Sequence, residues 1–144
     1  MEISKAIGRH IPFASHLGIE MLEYRDGRSV LRLAIRPELQ NSFGAAHGGV
    51  MMTLLDIAMA MAARSLDPEA EGAVTIEMKS NFIGAGTGTL TVEGKCLHLG
   101  KSVAFCEARA ENGDGRLAAT ASGTFMLRHA LKRRAPAPTP GMDS

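Results

Sequence analysis

Cysteine is scarce: Cys96 and Cys106 are the only two in 144 residues. They lack the close spacing of metal ligands, and both fall in apolar, strand-like runs. The N-terminus, MEISKAIGRHIPF, shows no basic-then-apolar secretory pattern. A disulfide framework and a metal centre are therefore not expected, and both thiols should be reduced core residues. Long apolar runs are missing too. The longest, residues 50–63, is broken by Thr53 and Asp56 and is shorter than the ~20 residues that cross a bilayer. Neither sign of charge dominates. The formal net charge of +1 argues against a general nucleic-acid binder. The expectation is a cytoplasmic protein with no membrane and no nucleic-acid partner.

Internal repeats and low-complexity segments are also absent. Hydrophobic residues make up 45% of the chain, enough at this length for one domain with a core of its own. That domain is expected over residues 1–128, with a helical N-terminal segment at 1–17. Residues 129–144, HALKRRAPAPTPGMDS, lose all periodicity and read as a flexible tail. From Arg128 onward four basic residues face one acid, a balance of +3 that leaves −2 on residues 1–127.

The elements follow from periodicity. Residues 2–10 suit a short amphipathic helix ended by Pro12, and PFASHLG adds a turn or two closed by Gly18. Asp26-Gly27 is a turn dipeptide between two strands, and Pro37 stops the second of them. Residues 37–47 form a loop. A helix follows over about 49–65, rich in Ala, Met and Leu. The remainder is β: AVTIEMKSNFIG, with a slip in alternation near Ser80-Asn81 that suggests a bulge, then three more runs joined by short turns as a meander. Asn112-Gly113-Asp114-Gly115 marks the last hairpin.

The helix is the unusual element. It opens at His47-Gly48-Gly49, is apolar almost all round, and carries one carboxylate, Asp56. A helix apolar on every side belongs inside something. An antiparallel sheet wrapped around it buries most of its surface, and a second subunit covers the rest. Met51, Ala58, Met59 and Ala62 are the candidates for facing that partner. A buried acid is uncommon unless paired, and desolvation raises its basicity.

The run N-x-x-G-x-x-H-G-G-x-x-x-x-x-x-D, from Asn41 to Asp56, together with the order of elements, resembles the hotdog-fold acyl-CoA thioesterases. The resemblance is to the phenylacetate-pathway (PaaI-like) and mammalian acyl-CoA thioesterase 13-like group, and it covers roughly residues 12–127. It implies an α+β hotdog fold, an antiparallel sheet of five to six strands around one long helix. It also implies hydrolysis of an aryl or medium-chain acyl-CoA without a cofactor, by a homo-oligomer that is at least a dimer and, in this group, a tetramer.

The site follows residue by residue. Helix N-termini carry free N–H groups and partial positive charge, so the Gly48 amide can serve as an oxyanion hole. Asp56 suits a general base or a nucleophile, and the residues leave both open. The two lie eight positions apart, ~12 Å along one helix. If both act on one thioester carbon, they come from different chains. The resemblance gives Asn41 the placing of water or substrate, gives His47 a part in orienting or polarising the thioester, and gives Thr75 the orientation of the attacking water. Gly49 and Phe82 are candidates for substrate contact, and Met51, Met52, Met59 and Met61 with Phe43 and Phe82 suit either an adaptable apolar pocket or the core. The resemblance brings the turn Gly100-Lys101-Ser102 to coenzyme A, Lys101 as a point charge for phosphate. Two other functions compete: a non-catalytic acyl- or CoA-binding module, and an enoyl-CoA hydratase or dehydratase. The missing HFPG sequence weighs against the last.

Overall fold

Residues 1–130 are described in the computed structural model, so the tail beyond residue 130 lies outside the described residues. Two short helices lead. α1 (Ile3–Ile7) is capped by the Glu2 side chain, which accepts from the Lys5 N–H, and it ends at Gly8, whose φ is +67°. Pro12 does not close that helix. It opens α2 (Pro12–Leu17), where its fixed φ suits the first helical position. β1 (Glu20–Arg25) and β2 (Arg28–Ala34) follow as a hairpin, with positive φ at both Asp26 and Gly27. A single 3-10 turn occupies Pro37–Leu39, and α3 spans Gly48–Arg64.

Four more strands follow among the described residues: β3 (Gly72–Phe82), β4 (Thr89–Leu99), β5 (Val103–Glu111) and β6 (Leu117–Arg128). The six form one antiparallel sheet in the order β1-β2-β4-β5-β6-β3. This is the sheet-around-helix arrangement that the resemblance implies. The meander runs only through β4, β5 and β6. β3 is not beside β4; it crosses to the far edge and pairs with β6.

The sheet approaches α3 closely because its inner face is made of small residues. Ala104, Ala108 and Ala110 of β5, and Ala119, Ala121 and Gly123 of β6, face a helix that presents Met51, Leu54, Leu55 and Met59. The tightest point is Gly94 on β4, where a Cβ would overlap the carbonyl of Ala58. That carbonyl is held by the buried Ser29 hydroxyl, which donates to it at 2.6 Å. Both thiols are free, Cys106 buried and Cys96 half-buried, and burial pushes both above the ordinary thiol range. No helix among the described residues is long and apolar enough to cross a membrane.

Met51, Ala58, Met59 and Ala62 do not face outward. All four are buried within the chain itself, Met51, Ala58 and Met59 in its core cluster. The uncovered strip of α3 runs instead through Gly49, Met52, Thr53 and Asp56. Gly94→Ala forces strand and helix apart, so it should destabilise the fold by about 2 kcal/mol or more. Chemical denaturation, with the wild type as reference, measures the loss.

Candidate active site

α3 starts where it does because His47 caps it. The His47 Nδ1 accepts from the Gly49 N–H at 2.9 Å. A neutral ring accepting at Nδ1 carries its proton on Nε2. The His47 carbonyl accepts in turn from the N–H groups of Val50 and Met51. The Gly48 N–H is left with no acceptor among the described residues. It is a donor at the positive end of the helix, and it sits beside Phe82: a Cβ on Gly48 would meet that ring at 3.7 Å.

The preceding loop is braced by Asn41. Its Oδ1 accepts from the N–H groups of Phe43 and Ala45, at 2.9 and 3.2 Å. Its own N–H donates to the Ala45 carbonyl, and Gly44 donates back to the Asn41 carbonyl. Gly44 has φ +78°, which favours glycine. The Asn41 side-chain oxygen is thus taken up by the shape of the loop.

Asp56 lies two turns further along α3 and is half-buried, not desolvated as its apolar neighbours suggest. Its Oδ1 accepts from the Thr75 hydroxyl at 2.5 Å, short as charge-assisted O–H···O bonds are. Its Oδ2 has no partner among the described residues. Around the pair runs an open groove of about 250 Å³, lined by Met52, Thr53, Asp56, Thr75 and Met78. A larger concavity, about 370 Å³, lies on the outer face of the sheet near Lys79, Glu107 and Arg109. It contains none of these groups.

Thr75 reaches Asp56 because of an irregularity in β3. On that strand Met78, Ser80 and Phe82 oppose Gly123, Ala121 and Ala119 of β6, all inward-facing. Strict alternation would put Thr75 with Glu77 and Lys79 on the outer face. The register shifts between Thr75 and Glu77, so Ile76 is a bulge residue and Thr75 opposes the buried Phe125. The bulge stands earlier in the strand than the slip expected near Ser80-Asn81, because the inner-face placement of Ser80 is regular and that of Thr75 is not.

Two clusters result, at opposite ends of β3: Gly48, Gly49 and His47 with Phe82, and Asp56 with Thr75. The turn Gly100-Lys101-Ser102 belongs to the second end. The Ser102 carbonyl accepts from the Leu127 N–H at 2.8 Å, and Leu127 opposes Ala73. Lys101 and Ser102 are exposed there. Of the groove residues, sequence reasoning names Met52 as a pocket candidate but misses Thr53 and Met78, while Met51, Met59 and Met61 belong to the core. The signal for the helix side of the groove is the spacing of Gly49, Thr53 and Asp56, four and then three apart, which is one helical stripe. Thr53 belongs to it structurally, donating to the Gly49 carbonyl at 2.8 Å. Gly48→Ala makes only ordinary contacts, so its thermal midpoint should match the wild type or exceed it. His47→Ala loses the cap and should cost about 1 kcal/mol. Thermal unfolding of the two variants separates these outcomes.

Comparison with known proteins meets this geometry. A family profile described as the thioesterase superfamily matches residues 43–119, from the Asn41-braced loop into β6. The 1,4-dihydroxy-2-naphthoyl-CoA hydrolase of Listeria monocytogenes is 30% identical over 95 residues, which is 65% of this chain and 76% of that protein. A thioesterase-type protein of Streptococcus pneumoniae, solved with coenzyme A, superposes with a TM-score of 0.70 at 28% identity, covering 78% of this chain and 91% of that one. The PaaI protein of E. coli, from the phenylacetic acid degradation operon, shares the fold with a TM-score of 0.77 at 23% identity, covering 86% and 89%. With the profile spanning more than half its length, the chain belongs to the thioesterase superfamily.

Proposed function

We propose that the chain hydrolyses acyl-CoA thioesters, aryl or medium-chain, to the free acid and coenzyme A at a site shared between two subunits. The observation that carries this reading is the division of the chemistry along α3. The open Gly48 amide and the Thr75-braced Asp56 are eight residues apart, about 12 Å along one helix. A thioester carbon touches both only when Gly48 comes from one chain and Asp56 from another. The surface is suited to such a pairing. β3 is an edge strand of 11 residues with Val74 and Ile76 about half exposed on it. Unpaired edges with apolar side chains are surfaces that folded proteins normally cover. The uncovered stripe of α3 adjoins it. Two chains related by a two-fold axis bring each stripe against the other and make two sites.

In each site the Gly48 N–H of one chain stabilises the oxyanion that develops on the thioester oxygen. Asp56 of the other presents its free Oδ2, either to remove a proton from the attacking water or to attack the acyl carbon itself. Thr75 fixes the carboxylate by holding Oδ1, which is what it contributes to orientation. His47 offers Nε2–H beside the oxyanion donor, and Asn41 holds the loop that carries both. Gly49 and Phe82 border the acyl group. Gly100, Lys101 and Ser102 meet the phosphate-bearing end of the coenzyme from the Asp56 end of the sheet. Coenzyme A in the Streptococcus pneumoniae structure and the aryl-CoA substrate named for the Listeria monocytogenes relative support this substrate class.

Asp56→Asn keeps the size of the side chain and the Thr75 contact but removes the base. It should lower kcat by about 10²–10⁴-fold in a thiol-release assay over a panel of acyl-CoA esters, with the oligomer intact by sedimentation. Near-normal turnover by this variant overturns the assignment. A wild-type protein that binds the esters but releases no thiol supports the non-catalytic binding module instead. Single turnover in ¹⁸O-water separates the two roles of Asp56. A general base puts label directly into the acid; a nucleophile can deliver unlabelled carboxylate oxygen in the first turnover.

A further inference from the structure

Phe43 is the most exposed large hydrophobic residue described, at 91%, against 56% for Phe82. A lone exposed phenylalanine on a floppy loop needs no explanation. This one is held. It sits at the tip of a hairpin closed by the Gln40–Ala46 bridge, with its own N–H bonded to the Asn41 side chain and Gly44 in the left-handed region behind it. The hairpin is anchored at its base, where the Ala46 N–H donates to the Gly86 carbonyl at 2.7 Å and the His47 N–H to the Leu39 carbonyl at 2.9 Å. An apolar ring is thus presented to solvent from a fixed mount, just ahead of Gly48.

The groove around Asp56 has the complementary deficiency. Met52, Thr53, Thr75 and Met78 form its floor and walls, but within one chain nothing among the described residues roofs it. Phe43 does not line it in cis and stands 91% exposed. It belongs to the Gly48–Phe82 end, and Asp56 is about 12 Å further along the helix. A two-fold axis that sets Gly48 of one chain on Asp56 of the other carries the Phe43 hairpin to that same foreign groove.

We propose that Phe43 of each subunit closes the acyl groove of its partner, packing against the acyl group between Met52 and Met78, and so sets the preference for bulky apolar acyl chains. The thioether side chains are adaptable partners for a ring. This inference rests on the shared-site reading above, and it adds a specificity-determining residue supplied in trans.

The test compares kcat/KM for phenylacetyl-CoA with that for acetyl-CoA. Wild-type turnover of either ester answers for the thioesterase reading; the ratio answers for Phe43. In the Phe43→Ala homo-oligomer the ratio should fall about tenfold or more, the range over which small changes of apolar contact discriminate substrates, while acetyl-CoA turnover persists. Phe43→Leu, which keeps apolar bulk, should recover much of the ratio and guards against loss of the oligomer. The decisive measurement uses mixed dimers of Phe43→Ala with Asp56→Asn, isolated through two different affinity tags. Their only competent Asp56 lies on the chain that carries Phe43→Ala, and in trans it faces the intact Phe43 of the other chain. With one of two symmetric sites working, they should show about half the wild-type rate with the wild-type ratio. Mixed dimers with the ratio of the Phe43→Ala homo-oligomer would place Phe43 in cis and overturn the proposal. An unchanged ratio in the Phe43→Ala homo-oligomer overturns it as well.

Discussion

The contact between Gly94 and Ala58 sets the rotation of α3. Strand and helix backbones meet there with no side chain between them, and the Ser29 hydroxyl pins the same carbonyl. Once that side of the helix is against the sheet, Met51, Leu54, Leu55 and Met59 have to fill the concave interior, and the alanines of β5 and β6 leave them room. What remains outside is fixed by the roughly 100° step of the helix: Gly49, Met52, Thr53 and Asp56. The place of the carboxylate is a consequence of packing on the opposite side. A larger residue at position 94 would therefore act on the site through helix rotation as well as on stability.

The second constraint is parity along β3. An edge strand has one partner, so an extra residue disturbs only one ladder, and Ile76 is tolerated there more readily than it would be between two strands. Its effect is chemical. It turns the Thr75 hydroxyl from the outer face to the helix side and gives Asp56 a fixed donor. Strand irregularity and helix rotation converge on one hydrogen bond, and together they leave one carboxylate oxygen tied and the other free.

Much of this is legible in the residues. The helix bounds, the hairpin at Asp26-Gly27, the six strands and the separation of Gly48 from Asp56 follow from local pattern and from rise per residue, which depend on near neighbours in the chain. Three features do not. The crossing of β3 to the far edge is a long-range pairing with no local cue. Polar residues interrupt the apolar pattern at Ser80-Asn81 and draw the expected bulge there, whereas the actual shift occurs at an isoleucine. The outward face of α3 is misread from composition because methionine and alanine look alike on both sides; Met59 and Met52 differ in burial only through Gly94 and the alanine-lined sheet. The stripe of Gly49, Thr53 and Asp56 is the better guide, since polar and small residues at helical spacing mark the side that large apolar groups do not fill.

A carboxylate half open to water is a weak tool. Water screens its charge and solvates it as a base, and it equally screens an amide dipole facing an oxyanion. On the proposed reading, association of two chains changes both terms at once. It brings the missing donor within reach of the acyl carbon and expels water from the groove, where each electrostatic interaction then counts for more. The same contact covers the apolar edge of β3 and the stripe of α3, so the free energy that holds the subunits together comes from the surfaces that border the chemistry. Catalysis and assembly are then a single linked equilibrium, and a substitution far from the thioester that loosens the subunits would read as a loss of turnover without touching Asp56.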